Sequence, residues 1–244
     1  MNTPIADFLE DYEKKGMLRL HMPGHNGEAP HDITEIAGAD SLYETDSSRG
    51  IIAHSEAIAA KLFGAERTCY SAGGSTLAIQ AALAILRAQG CKTIAAGRCS
   101  HRSLVSSAAL LGLEVKWLYP KEYPSADVDC SKEALSGADA LFLTNIDYYG
   151  GTCSASDPGI PVVVDNAHGS YLKFVSKAGF GREYLHPMEF GFPVISAESA
   201  HKTLPALTGA AYLHFSKGTD YSRAKEMTAL FGSTSPSYLV MESL

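Results

Sequence analysis

The sequence predicts an α/β fold: a mostly parallel central sheet flanked by helices. Three observations predict the class. From about residue 55, short apolar runs alternate with stretches of helical periodicity. Some runs, such as Pro161-Val162-Val163-Val164, are continuously apolar, as a strand buried on both faces must be. The 244 residues are 45% apolar, enough for one large core.

The elements follow in order. Thr3 as a cap, Pro4 at the first helical position and Gly16 as a stop predict an N-terminal helix. The run 18–27 then reads as a short extended stretch breaking into a Pro/Gly loop with His21 and His25. A helix over 55–63 ends at Gly64, and a strand over 68–71 leads into the turn Gly73-Gly74. Leu77, Ala81, Ala84, Ile85 and Leu86 fall at helical spacing and predict a helix over 75–88. A strand at 93–95 and a helix over 103–111, stopped by Gly112, come next. Further strands are expected at 114–118, 140–143, 162–165, 194–197 and 210–214, some joined by loops rather than full helices. The closing run 238–244 reads as a helix with no stop signal, the look of an interrupted protein.

Composition narrows the function classes. A net charge of −7 and a pI near 5.7 argue against nucleic acid as a partner. No apolar run approaches the roughly 18–20 residues of a membrane span, and the N-terminus lacks the features of a signal peptide. A cytoplasmic protein is expected. Five cysteines without a Cys-x-x-Cys pair predict neither a disulfide framework nor a metal site.

Four segments at strand ends carry chemistry, where open α/β sheets place ligands. In Ser71-Ala72-Gly73-Gly74-Ser75-Thr76 a glycine turn opens a helix, and Gly74, Ser75 and Thr76 suit a phosphate. The plainer alternative is that Ser75 only caps the helix. In Arg98-Cys99-Ser100-His101-Arg102-Ser103, His101 suits stacking on a flat aromatic cofactor; alternatively Ser100 caps a helix and His101 is solvated. Asp165 ends a buried strand, where a carboxylate must be paired or functional, and His168 follows on the same loop. A pyridinium nitrogen is one suitable partner for Asp165, and a strand-end cap is the simpler one. In Ser196-Ala197-Glu198-Ser199-Ala200-His201-Lys202 a lysine sits among small and polar residues, as a Schiff-base lysine withdrawn from water would; a surface lysine in a turn is the alternative. Each segment has a bland reading, but together they are the parts of one pyridoxal-phosphate (PLP) site.

These residues resemble the bacterial ornithine/lysine/arginine decarboxylases in their major, PLP-binding region. The resemblance is carried by His21-Met22-Pro23-Gly24-His25, Asp32-Ile33-Thr34-Glu35, Gly64-Ala65, Gly74-Ser75-Thr76, Ser100-His101-Arg102-Ser103, Asp165-Asn166-Ala167-His168-Gly169, the stretch from Ser199 through His201-Lys202-Thr203-Leu204-Pro205 to Thr208, and Ser233-Thr234-Ser235-Pro236-Ser237-Tyr238. It implies PLP fold type I, the aspartate-aminotransferase-like fold, and a homodimer or larger assembly with a shared site. It further implies Lys202 as the Schiff-base residue, Asp165 at the pyridine nitrogen and His101 on the ring. Ser75, Thr76 and Ser199 would bind phosphate, His168 and His201 would line the site, and Thr234 would act in the neighbouring subunit's site.

Two positions depart from the family's pattern: Asn26, where a basic residue is usual, and Gly209, where a Gln is usual. The resemblance also implies a division into an N-terminal helix and His/Pro/Gly arm (1–30) and a PLP-binding large domain (31–244), with the family's C-terminal small domain absent. The expected function is decarboxylation of lysine, arginine or ornithine through a Lys202 Schiff base. The alternatives are aminotransferase- or aldolase-type PLP chemistry on the same fold, or a catalytically incomplete, dimerising remnant that binds PLP. Release of CO₂ against transfer of the amino group separates the first two, and turnover by the chain excludes the third.

Overall fold

Seven strands form the sheet because their alternate side chains have apolar partners on both faces. The computed structural model describes residues 2–16, 46, 48–120, 125–153, 156–175, 178 and 184–244. The run 18–27, with its His21–His25 motif and Asn26, and the segment 32–35 lie outside the described residues. The strands are β1 (Arg67–Ser71), β2 (Thr93–Gly97), β3 (Glu114–Leu118), β4 (Ala140–Thr144), β5 (Val162–Asp165), β6 (Val194–Glu198) and β7 (Ala211–Phe215), in the order β1-β7-β6-β5-β4-β2-β3. From β3 to β6 every pairing is parallel, while β7 pairs antiparallel with both β6 and β1. Two reversals in series restore direction. Strands β1 to β6 therefore all end on one edge of the sheet, and only β7 runs against them.

Along each strand the two faces alternate. Ile94, Ala96, Phe142, Val163, Ile195, Ala197, Leu213 and Phe215 pack with α3 (Gly74–Ala88), α4 (Arg102–Leu111) and α7 (Ala224–Phe231). Opposite them, Ala95, Leu141, Leu143, Val162, Val164 and Val194 face a second cluster with Leu118, Val128 and Leu135. A third cluster joins α1 (Pro4–Lys14), α2 (Ile51–Phe63) and α8 (Tyr238–Glu242) to Tyr70 and Tyr212. The central strands are buried on both sides, as their continuous apolar runs require.

Some boundaries differ from expectation. Helix α2 starts at Ile51, not at residue 55, because Ile52 and Ala53 are fully buried in the helix and Gly50 takes the cap position. Ser55 instead hydrogen-bonds the Tyr70 hydroxyl at 2.9 Å. Strand β7 lies one residue later than expected, since Ala210 N–H is engaged in a turn with Leu207 O (2.9 Å). Thr3 precedes α1, but its hydroxyl donates to the Asp7 carboxylate (2.8 Å) rather than capping the backbone. Two connections, α5 (Leu172–Val175) and α6 (Ala200–Thr203), are single turns. No described helix is long and apolar enough to cross a membrane.

Candidate functional site

A cavity of about 430 Å³ opens along the carboxyl edge of the sheet. Every strand from β1 to β6 contributes to it. After β1 come Gly74, Ser75 and Thr76; after β2, Arg98, Cys99 and His101; and after β3, Pro120. The end of β4 supplies Thr144, Ile146, Asp147, Tyr148 and Tyr149, and the end of β5 supplies Asp165, Ala167 and His168. After β6 come Ser199, His201 and Lys202. All the candidate residues from sequence meet here except Thr234. That residue is exposed on the turn between α7 and α8, and its neighbours Ser233 and Ser235 line a separate cavity of about 240 Å³.

The β1–α3 turn is built from its glycines. A Cβ on Gly73 would lie 2.6 Å from Leu77 Cδ1, and Gly74 adopts φ +71°. The Ser71 hydroxyl accepts from Gly73 N–H (3.2 Å) and donates to Gly74 O (3.0 Å). Gly74 N–H donates to Gly209 O at 2.8 Å, tying the turn to the approach to β7. Gly209 has its own reason to be glycine: φ is +97°, and a Cβ there would sit 3.1 Å from Ala72 O. Ser75 does not cap α3, because Gly73 holds the cap position. Its hydroxyl instead accepts from the Ser199 hydroxyl at 2.7 Å, so two of the expected phosphate ligands touch across the sheet edge. With Thr76 they set three hydroxyls beside the start of a 15-residue helix, whose dipole favours an anion.

His101 is itself the N-cap of α4: its Nδ1 accepts from Ser103 N–H (3.2 Å), while the Ser100 hydroxyl donates to Gly97 O (2.7 Å). Asp165 serves two roles. Its Oδ1 accepts from Ala167 N–H at 3.2 Å, the strand-end cap, yet the residue also lines the cavity. Burial pushes its carboxyl above the usual range, opposed by that N–H and by the nearby His101 and Lys202. A cation beside it would hold it ionised.

Lys202 lies on α6, with Nζ 3.2 Å from His168 Nε2. Burial lowers the His168 pKa, and the neighbouring Lys202 and His101 lower it further, so a neutral imidazole can accept from the lysine amine. Tyr148 meets the His168 ring edge-on at 5.2 Å. The expectation that Lys202 is withdrawn from water is corrected, because the residue is exposed at the cavity mouth. The single turn of α6 gives its buried side to Ala200 and leaves Lys202 on the open side. His201, half-buried, directs Nδ1 to Ala210 O at 3.0 Å.

Sequence reasoning missed the β4 contribution, although a strand running into Asn145-Ile146-Asp147-Tyr148-Tyr149-Gly150 carries the same strand-end signal as the others. Asp147 organises that loop: Oδ1 accepts from Tyr149 N–H (2.8 Å) and Gly151 N–H (2.9 Å), and Oδ2 from Ala126 N–H (2.9 Å). Ile146 holds φ +57°, unfavourable for a β-branched residue, in the cavity wall. Arg98, with its guanidinium 5.0 Å over the Trp117 ring, was also passed over. Among the described residues, no group of three or more His, Cys, Asp or Glu is placed to hold a metal ion.

Residues 141–244 match the family described as Orn/Lys/Arg decarboxylase, major domain. The chain is 30% identical over 276 aligned positions to uncharacterized protein YaaO of Bacillus subtilis (strain 168), covering 100% of this chain and 55% of that protein. It is 26% identical to an arginine decarboxylase of Bacillus anthracis, covering 99% of this chain and 54% of the relative. The chain thus spans about half the length of the curated relatives it matches. Among solved structures, lysine decarboxylase A from Pseudomonas aeruginosa superposes with a TM-score of 0.74 at 20% identity, over 98% of this chain and 39% of that one. The fold is that of the PLP fold type I enzymes.

Proposed function

From the premise that this chain shares the major domain of the Orn/Lys/Arg decarboxylases, we propose that it acts in the PLP-dependent decarboxylation of a basic amino acid, with lysine, arginine and ornithine as the candidate substrates. The observation that carries the reading is the meeting of a buried carboxylate, a lysine amine and a three-hydroxyl cradle around one cavity. A flat, phosphorylated pyridine aldehyde suits that donor set. Ser75, Thr76 and Ser199 at the start of α3 suit its phosphate, and Asp165 suits a protonated ring nitrogen. The cavity volume lies within the range of small-molecule sites. The Lys202 amine is the group that would hold the aldehyde as a Schiff base, and His101 is the residue that would lie against the ring. When bound, the cofactor supplies an electron sink for the α-carbon of an amino acid.

The chain's own residues prepare that chemistry. Asp165, nearly dry, would favour a positive charge on the ring nitrogen of a bound cofactor and so strengthen the sink. His168 accepts from Nζ of Lys202 and so can take the proton that the amine must lose to become a nucleophile. Lys202 and His201 both line the cavity, so either would be within the site to give a proton to the α-carbon of a bound substrate. Thr234, outside its own chain's cavity, is assigned to the site of a second copy in a homodimer.

The test is product analysis. The chain is incubated with PLP and, separately, lysine, arginine and ornithine, and CO₂ and the corresponding amine are measured beside any keto acid. Amine and CO₂ in equal amounts from one of the three are expected. Transfer of the amino group without CO₂ would replace this reading with aminotransferase chemistry.

A further inference from the structure

Below the cavity floor, three strand ends are joined by a buried chain of polar side chains. Asn166, directly after Asp165, is fully buried. Its Oδ1 accepts from Asn145 Nδ2 at 3.0 Å, beyond the end of β4, and its Nδ2 donates to Glu198 Oε1 at 3.1 Å, at the end of β6. Glu198 is likewise fully buried. Oε1 also accepts from the Ser196 hydroxyl (2.9 Å), and His186 Nε2 lies 2.8 Å away, off the axis of a straight hydrogen bond. Met188 N–H donates to His186 Nδ1 (3.2 Å), which leaves the ring proton on Nε2, facing the carboxylate. The other oxygen, Oε2, has no hydrogen-bond partner; His214 Nε2 stands 3.8 Å from it.

The glycine that closes the β5 turn is explained by the same chain. A Cβ on Gly169 would lie 2.0 Å from Asn166 Oδ1, so only glycine lets the Asn166 amide tuck beneath the turn. Gly169 N–H donates to Asn166 O at 2.9 Å, closing the segment that carries Asp165 and His168. On the other side, Glu198 is followed at once by Ser199, and Lys202 stands on the next turn.

We infer that Asn166 and Glu198 form a positioning pair: an amide-to-carboxylate hydrogen bond between the ends of β5 and β6 that sets the spacing of Asp165 and His168 against Ser199 and Lys202. The inference rests on the PLP reading above. Neither residue touches the cavity, so the pair acts through the groups it holds. Fixing catalytic groups by a supporting layer of hydrogen bonds is how such sites keep their geometry, and a half-satisfied buried network loses it.

The test is PLP affinity, measured by absorbance titration of the chain at a temperature well below unfolding, with far-UV circular dichroism as the check on fold. Asn166→Asp sets a carboxylate against Glu198 and is expected to weaken PLP binding about tenfold or more. Adding Glu198→Gln removes the repulsion between the two carboxylates and is expected to recover part of the lost affinity, about threefold or more. Gly169→Ala is expected to weaken binding by a similar factor, and to add nothing in an Asn166→Ala background, because the clash is with the Asn166 side chain. Undiminished binding by Asn166→Asp, no recovery in the double variant, or additive losses for Gly169→Ala and Asn166→Ala would each overturn the pair while leaving the PLP reading intact. Should Asn166→Asp fail to fold, the glycine–alanine set decides alone. Absence of PLP binding by the unsubstituted chain would remove the PLP reading, and this inference with it.

Discussion

Asp165 answers two demands with one carboxylate. Oδ1 caps the turn through Ala167 N–H, and the side chain, 4% exposed, forms part of the cavity wall. Burial raises the cost of its charge, so the group favours a cation opposite it. Asp165→Asn keeps the size of the side chain and removes that charge. Decarboxylation is expected to fall about 100-fold, the scale of losing one preorganised electrostatic partner, while far-UV circular dichroism stays unchanged; retention of full rate would remove Asp165 from the mechanism. Buried titrating groups also set acid stability. Burial holds the His214 imidazole down to about 4, against an upward pull from Glu198. Below an unfolded pKa of about 6.5, the unfolded chain takes a proton that the folded chain refuses. This contribution is present above that value and is lost as pH falls towards about 4. Burial alone would raise Glu198, but its histidine neighbours and the Asn166 amide hold it below the usual carboxylate range, so its contribution is lost on the acid side too. The melting temperature is therefore expected to drop between pH 7 and pH 4, and His214→Gln to flatten that slope; a melting temperature rising towards pH 4 would contradict the His214 assignment.

At the scale of elements, the periodicity of the chain made the helix–strand alternation legible, and strand-end placement made Ser75, Asp165 and Lys202 legible as parts of one site. What escaped has physical causes. The start of α2 at Ile51, ahead of the expected residue 55, was hidden because it is set by burial of Ile52 and Ala53, with Gly50 at the cap position. The Asn166–Glu198 contact could not be read, since it requires knowing that β5 and β6 are neighbours, 32 residues apart at that contact. Ser75 and Ser199 were each assigned to phosphate, yet their mutual hydrogen bond spans 124 residues and had no sequence signature. Gly209, a departure from the usual family residue, has its reason in the left-handed backbone and in Ala72 O close by. Gly209→Ala should accordingly cost about 1–2 kcal/mol in chemical denaturation and weaken PLP binding through the β1–α3 turn that it contacts. An alanine variant as stable as the parent would show that this turn tolerates a side chain.

At the scale of the molecule, a sheet with six strands ending on one edge gathers residues 74 to 202 into a single cavity. Residue Thr234 stays apart from it, exposed beyond α7. If two copies share sites as proposed, mixing Lys202→Ala chains with Thr234→Arg chains should yield decarboxylation that neither chain gives alone, because one site of each mixed dimer is intact. Activity in the Thr234→Arg chain equal to that of the parent would argue against sharing.

The account depends most on the Lys202 amine. The most direct measurement is borohydride reduction of the PLP-treated chain, followed by mass spectrometry of its peptides. A single pyridoxyl-phosphate adduct on Lys202, absent from Lys202→Ala, is the expected result. An adduct spread over surface lysines, or none on the peptide carrying Lys202, would contradict the account.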